Sequence, residues 1–116
     1  MDGYLDRLTL NEDVLVYVFE GWAADLVESQ PASDILIFKG EKLVWQFEPA
    51  YEREDVAKAL DRPTLLRSGY RTIVPLKVLK SHPGDISVIA ISKDKRAFRL
   101  QIKDAHKELI RTTLVK

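Results

Sequence analysis

The chain of 116 residues carries 18 acidic and 18 basic side chains and contains no cysteine. A formal net charge of zero argues against a protein built mainly to bind nucleic acid or an anionic membrane surface, because both demand a basic excess. Without cysteine, the chain forms neither a disulfide nor a thiolate metal site. No apolar run reaches the roughly 20 residues that span a bilayer. The length and the hydrophobic content of 46% predict one globular domain with its own core.

About six short apolar stretches, each stopped by a turn signal, predict a mostly-β sandwich. The first two predicted strands cover residues 4–10 and 14–19, with a turn cluster at 11–13. Both faces of the second strand are apolar, which predicts a central strand covered on both sides. Gly21 and Trp22 are expected to follow its end.

The next two strands, 35–38 and 43–47, are predicted to flank a tight hairpin turn in which Gly40 supplies the positive φ. Alternation along the second of them places Leu43, Trp45 and Phe47 on the buried side. After Pro49, acidic residues followed by one apolar face predict a short helix over residues 52–60. One further helical turn is predicted over 64–66.

Residues 70–74 are predicted to be extended, with Tyr70 pointing inward and Pro75 placing the strand end at an edge or a bulge. Residues 86–91 and 97–102 predict a hairpin. The tail 104–116 has weak helical spacing, which leaves a docked helix and the start of a linker both open. The predicted fold is a single all-β, immunoglobulin-like antiparallel sandwich over residues 1–103 with one short inserted helix.

Five segments together resemble a known accessory domain. They are Gly21-Trp22-Ala23-x-Asp25, Ile35-Leu36-Ile37-Phe38-x-Gly40-x-x-Leu43-Val44, Arg53-x-Asp55-Val56-Ala57-x-Ala59-Leu60, Ser68-Gly69-Tyr70-Arg71 and Val88-Ile89-Ala90-Ile91-Ser92. This pattern resembles a β-sandwich module, immunoglobulin-like in layout, that occurs in bacterial cell-envelope and polysaccharide-assembly proteins. The resemblance implies a non-enzymatic domain of the envelope or periplasm, and it transfers no catalytic residue and no cofactor.

The candidate binding residues are Trp45, Tyr51, Arg53 and Asp55. Exposed aromatic rings stack on sugars, but both tryptophans, Trp22 and Trp45, are expected in the core, so Tyr51 is the better candidate for an exposed platform. Arg53 and Asp55, with Asp25, are interpreted in two ways. They form either a binding cluster at one end of the sandwich or an ion pair that holds the helix to the sheet, and the second is favoured.

No reaction centre is predicted. His82 and His106 have no neighbours at the spacing of a catalytic or zinc site, so both are expected to be solvated. A local basic enrichment at 62–80 (Arg62, Arg67, Arg71, Lys77, Lys80) allows acidic-polymer binding, although a solvated face balanced by nearby acids is favoured. The predicted function is a non-catalytic binding or scaffolding module that recognises a glycan or a protein. The alternative is a structural spacer that orients a catalytic or membrane partner of the same parent chain.

Overall fold

The computed structural model describes residues 2–114, and within them the chain forms two β-sheets and three α-helices. The strands are β1 (Asp2–Asn11), β2 (Val16–Asp25), β3 (Gln30–Pro31), β4 (Asp34–Lys39), β5 (Lys42–Phe47), β6 (Gly69–Pro75), β7 (Ile86–Ile91), β8 (Ala97–Arg99) and β9 (Gln101–Ile102). The helices are α1 (Glu54–Ala59), α2 (Leu76–Lys80) and α3 (Asp104–Leu114), and a 3-10 helix spans Pro63–Leu65.

Two antiparallel-rich sheets pack face to face, which confirms the predicted sandwich. In the first sheet β1 lies between β9 and β2, and the other side of β2 pairs with β6 and then with β3. The second sheet has the order β5-β4-β7-β8. The segment from β8 to β9 changes sheet at Leu100, whose N–H donates to the carbonyl of Val88 at 2.8 Å. The short β1–β9 pair is parallel, and the other strand pairs are antiparallel as predicted.

The core lies between the sheets, where alternate residues of each strand point inward. Fully buried side chains from the first sheet meet fully buried side chains from the second. They include Tyr17 and Phe19 of β2, Ile35 and Ile37 of β4, and Val88 of β7.

The second strand differs from its prediction in position and in cover. Val14 and Leu15 lie in the turn before β2 and are 64% and 56% exposed, while the strand continues through Trp22 to Asp25. Only the core-facing side of its first half is buried, since Val18 on the other side is half-buried. Trp22 is buried, but on the outer face of the sheet, because α1 and the 3-10 helix cover that end with Val56 and Leu65.

Gly40 adopts the predicted left-handed conformation, with φ of 59°, in the turn between β4 and β5. The buried side of β5 is different from the prediction. A bulge lies opposite the step from Ile37 to Phe38, because their partners are Trp45 and Leu43. The additional residue, Val44, packs on the core while Leu43 is 49% exposed.

The predicted inserted helix is confirmed as α1, but the chain forms two more helices. Apolar residues after Pro75 form α2 rather than extended chain, and Leu79 is buried. The tail forms α3, which docks through Ile110, 2% exposed, so the linker alternative was wrong. Residues 115 and 116 and the side chain of Leu114 lie outside the described residues.

The two isoleucines Ile37 and Ile73 provide a matched test of this core. Ile37 is fully buried, so Ile37→Ala is expected to lower the free energy of unfolding by about 2–5 kcal/mol. Ile73 is 46% exposed in β6, so Ile73→Ala is expected to cost less than about 1 kcal/mol. Urea unfolding followed by circular dichroism measures both. Equal losses in the two variants would contradict the described packing.

Candidate functional site

The segment that holds three of the four candidate residues is fixed by a short bridge to β6. After Pro49 the chain passes Gly69, and the N–H groups of Ala50 and Tyr51 donate to its carbonyl at 3.0 and 2.9 Å. The N–H of Gly69 donates in return to the carbonyl of Tyr51 at 2.9 Å. This bridge places the Tyr51 ring, 53% exposed, beside the first sheet.

Only glycine fits at position 69. A Cβ atom there would lie 2.6 Å from the Arg53 Cγ and 2.7 Å from the Tyr51 carbonyl oxygen. Both distances are shorter than carbon contacts allow, so the missing side chain lets Arg53 cross over the end of β6.

Arg53 joins α1 to the first sheet through two carboxylates. Its Nε and Nη2 donate to the two oxygens of Asp55 at 2.9 and 2.8 Å, and its Nη1 donates to Asp6 of β1 at 2.8 Å. The hydrogen bonds to Asp55 are the main reason that the pKa of Arg53 is raised, and the same bonds lower the pKa of Asp55 to about 2. The structure therefore contains the ion pair that holds the helix to the sheet.

A second row of charges crosses the sheet beside this cluster. Glu20 of β2 accepts a hydrogen bond from the Arg71 Nε at 2.9 Å, and Arg7 of β1 lies 3.7 Å from its other oxygen. Asp6 and Arg53 of the first cluster and all three residues of this row line an open groove with a volume of about 360 Å³, whereas Asp55 lies outside its lining. Its polar lining comes from Asp6, Arg7, Glu20, Tyr51, Glu52, Arg53, Tyr70 and Arg71.

The other predicted partners lie elsewhere. Trp45 is half-buried between the sheets and its indole Nε1 donates to the Thr72 hydroxyl at 2.9 Å, so it does not line the groove. Asp25 is 2% exposed and pairs with Arg96 at 2.7 Å, so the less favoured alternative, a cluster of Asp25 with Arg53 and Asp55, was wrong. The reason is that β2 continues to Asp25, which carries this carboxylate to the β7–β8 turn.

The basic residues predicted as a local enrichment do not act together. Arg62 donates to the carbonyl of Leu26 and to the Ser29 hydroxyl, while Arg67 lies 3.9 Å from Glu52. Arg71 is held by Glu20 in the groove. Each arginine thus has its own partner, although Glu52 and Arg71 both line the groove.

Both histidines are half-buried, so the expectation that they are solvated was wrong. His106 lies in α3, and its burial is the main reason that its pKa is lowered. The Nδ1 atom of His106 has no hydrogen-bond partner among residues 2–114. Within that range no three His, Cys, Asp or Glu side chains come together as a metal site would require. The described helices include none that is both long enough and apolar enough to cross a bilayer.

Sequence reasoning missed Asp6, Arg7 and Glu20, which lie far along the chain from residues 51–55. One signal was present: Glu20 is a single charge at an outward position of an otherwise apolar strand. Its partners could not be identified because the strand pairing that brings them together was unknown.

The lowered pKa of Asp55 makes a pH prediction. A carboxyl group with a depressed pKa in the folded state stabilises the fold above its unfolded pKa, and this contribution disappears as pH falls through the folded pKa. The free-energy difference between the wild type and Asp55→Asn is therefore expected to be constant above about pH 5 and to shrink between about pH 4 and 2. The side chain is 67% exposed, so the plateau is expected below about 1 kcal/mol.

Urea unfolding at each pH measures this difference. Glu54→Gln is the matched control, because Glu54 adjoins Asp55 on α1 and forms no ion pair among the described residues. A pH profile that Asp55→Asn leaves unchanged relative to the wild type would contradict the role given to Arg53.

Comparison with protein-family models, with curated proteins and with solved structures finds no match. The resemblance to envelope accessory modules therefore stays a prediction, and a function has to be argued from the groove and the surface around it.

Proposed function

We propose that this chain is a non-catalytic binding module that recognises a protein partner through the outer face of its first sheet. The recognition face is defined as the outward-facing rows at Arg7, Glu20 and Arg71 and at Val18 and Ile73, with Tyr51 beside them. The observation that carries the proposal is that α1 and the 3-10 helix cover only the Trp22 end of this outer face. The remaining rows have no cover among the described residues.

The composition of the recognition face suits a protein partner. Protein interfaces are enriched in tyrosine and arginine around an apolar centre. Here Tyr51 is 53% exposed, Ile73 is 46% exposed, and Ile73 pairs across the strands with the half-buried Val18. Arg71 lies next to them on the same face, two residues before Ile73 in β6.

The charges of this face are held in place before any partner binds. Arg71 donates a hydrogen bond to Glu20, and beside the face Arg53 donates hydrogen bonds to Asp6 and Asp55. Groups that are already oriented lose little conformational entropy on association, so such a surface favours specific recognition.

The titration behaviour of the groove supports a non-catalytic role. A general acid or base works best with a pKa near the operating pH. Burial raises the pKa of Tyr70, which lines the groove, and the ion pair with the groove residue Arg53 lowers the pKa of the adjacent Asp55 to about 2, so both shifts lead away from neutrality. Each shift has a structural cause, either an ion pair or burial.

A protein partner is favoured over a glycan because of the tryptophans. Sugar-binding platforms present exposed rings. Trp22 lies under α1, and Trp45 uses its N–H on Thr72, which leaves Tyr51 as the exposed ring beside the groove. The biological setting that we propose is a bacterial cell-envelope protein, as the resemblance to immunoglobulin-like envelope modules implies.

The spacer alternative is less favoured because the exposed apolar residues are dispersed. A spacer that packs on another domain would present one large apolar patch. Val14 and Leu15 lie in the β1–β2 turn, Val27 follows β2, and Leu43 lies on β5 in the other sheet.

Selection against the folded chain tests the proposal, using a display library of linear peptides and an array of bacterial glycans in parallel. We expect peptide ligands whose Kd rises about tenfold or more in Tyr51→Ala and in Arg71→Ala, which is about 1.4 kcal/mol of binding free energy. Arg99→Ala is the matched control, since Arg99 is exposed on β8 of the second sheet and outside the groove, and the Kd of this variant is expected to stay within about twofold of the wild-type value.

Circular dichroism of each variant checks that its fold is intact. Glycan ligands that depend on Tyr51, with no peptide ligand, would replace the protein partner by a carbohydrate. Peptides that bind all variants equally would show that the recognition face is elsewhere.

A further inference from the structure

Strand β6 lies at the edge of the first sheet, and its hydrogen bonds alternate in direction. The even-numbered positions face β2, because the carbonyl of Ser68 accepts from the Ala23 N–H at 3.0 Å and the N–H of Leu76 donates to Leu15 at 2.9 Å. The antiparallel register between these two bonds is unbroken. The odd-numbered positions of β6 therefore direct their N–H and C=O groups away from the sheet.

The first of these outward positions already has a strand partner. Gly69 exchanges hydrogen bonds with Tyr51 in an antiparallel bridge. The next two, Arg71 and Ile73, make no backbone hydrogen bond to any residue within the described range. The N–H and C=O groups of Arg71 and Ile73 therefore lie along the same edge as the Gly69–Tyr51 bridge but have no strand partner among residues 2–114.

Two prolines explain why this pairing stops. The register of the bridge would place residue 49 opposite Arg71, and Pro49 has no N–H to donate. From there the chain belongs to the second sheet, where β5 pairs with β4. At the other end Pro75 likewise has no N–H and is followed directly by α2, so the unpaired edge is short.

The space beside this edge is bounded on its inner side. Trp45 of β5 donates to the Thr72 hydroxyl, and the Phe47 ring lies 5.6 Å from the Tyr70 ring. The outer side carries the recognition face, where the Arg71 side chain is 42% exposed and Ile73 is 46% exposed.

We propose that β6 is completed by an extended peptide segment of the protein partner, which adds as an antiparallel strand beside Arg71 and Ile73. This inference rests on the proposed function and specifies its partner chemistry. Main-chain hydrogen bonds from an exposed edge supply affinity in such strand addition, and alternate side chains supply specificity.

The two outward positions also specify the peptide sequence. Residues directly opposite each other in an antiparallel pair share one face of the sheet. An apolar residue therefore faces Ile73 and, two positions later, an acidic residue faces Arg71. The Arg71 Nε donates to Glu20, while its two terminal nitrogens make no hydrogen bond within residues 2–114. These free donors favour a carboxylate on the peptide residue that faces Arg71. The motif is apolar-x-acidic.

Amide hydrogen exchange tests the strand addition, with the tightest peptide from the display selection as the probe. Binding is expected to slow the exchange of the Arg71 and Ile73 amides about tenfold or more. The amides of Tyr70 and Thr72 are internal controls, because they already face β2 and are expected to keep their rates. Similar slowing at all four positions, or at none, would overturn the inference.

Peptide variants that each carry one N-methyl group provide an independent test. Their affinities are expected to alternate from one peptide residue to the next. Methyl groups on the residues opposite Ile73 and Arg71 are expected to weaken binding about tenfold or more, and a methyl group on the residue between them is expected to have little effect. In Arg71→Ala the preference for the acidic residue over its amide counterpart is expected to disappear. A uniform response to methylation would overturn the strand geometry.

The outcomes separate this inference from the function on which it rests. If the selection returns no peptide, the protein-binding function fails and the inference fails with it. If peptides bind and depend on Tyr51, while the Arg71 and Ile73 amides stay unprotected, the function stands and the strand addition is wrong. A further outcome is that, without peptide, hydrogen exchange of the Arg71 and Ile73 amides becomes slower as the protein concentration rises. This result would identify a second copy of this chain as the occupant and overturn the proposal.

Discussion

The pairing of β2 on both sides is the constraint on which the rest of the structure depends. One set of its backbone groups binds β1, and the alternate set binds β6 and then β3. Because side chains alternate with the same period, this arrangement also determines what each face of the sheet presents. Tyr17 and Phe19 enter the core, while Trp22 and Glu20 lie on the outer face.

The outer face is then divided by what covers it. At the Trp22 end, α1 and the 3-10 helix form a second small apolar cluster. Arg53 holds this cover in place, since it reaches from Asp55 at the start of α1 to Asp6 in β1. A side chain at position 69 would clash with Arg53 and with the carbonyl of Tyr51, so Gly69 allows both the position of Arg53 and the strand bridge to Tyr51. The same bridge marks where the cover ends and the exposed rows begin.

Edge strands expose unpaired backbone groups, and proteins generally shorten or charge such edges to avoid unwanted pairing. β6 has both properties, with Pro75 at its end and the charged Arg71 within it. In the proposed strand addition, the features that protect this short edge from general aggregation also restrict the peptide sequences that it accepts.

The sequence by itself determined the local elements whose signals lie within a few residues. Alternation and turn residues identified the sandwich strands, the positive φ of Gly40, the inserted helix and the inward Tyr70. Helix α2 was missed because the apolar residues after Pro75 fit an extended segment equally well, and only the docking of Leu79 selects the helix.

Tertiary structure decided which charges meet. The pairing of Arg53 with its neighbour Asp55 could be anticipated from their spacing, whereas its bond to Asp6 spans 47 positions and follows from strand order. Asp25 resembled a partner of the same cluster, but the continuation of β2 carries it to Arg96. Register and strand neighbours are set by the packing of the whole core, and for this reason the groove and the unpaired edge of β6 became visible only in the folded chain.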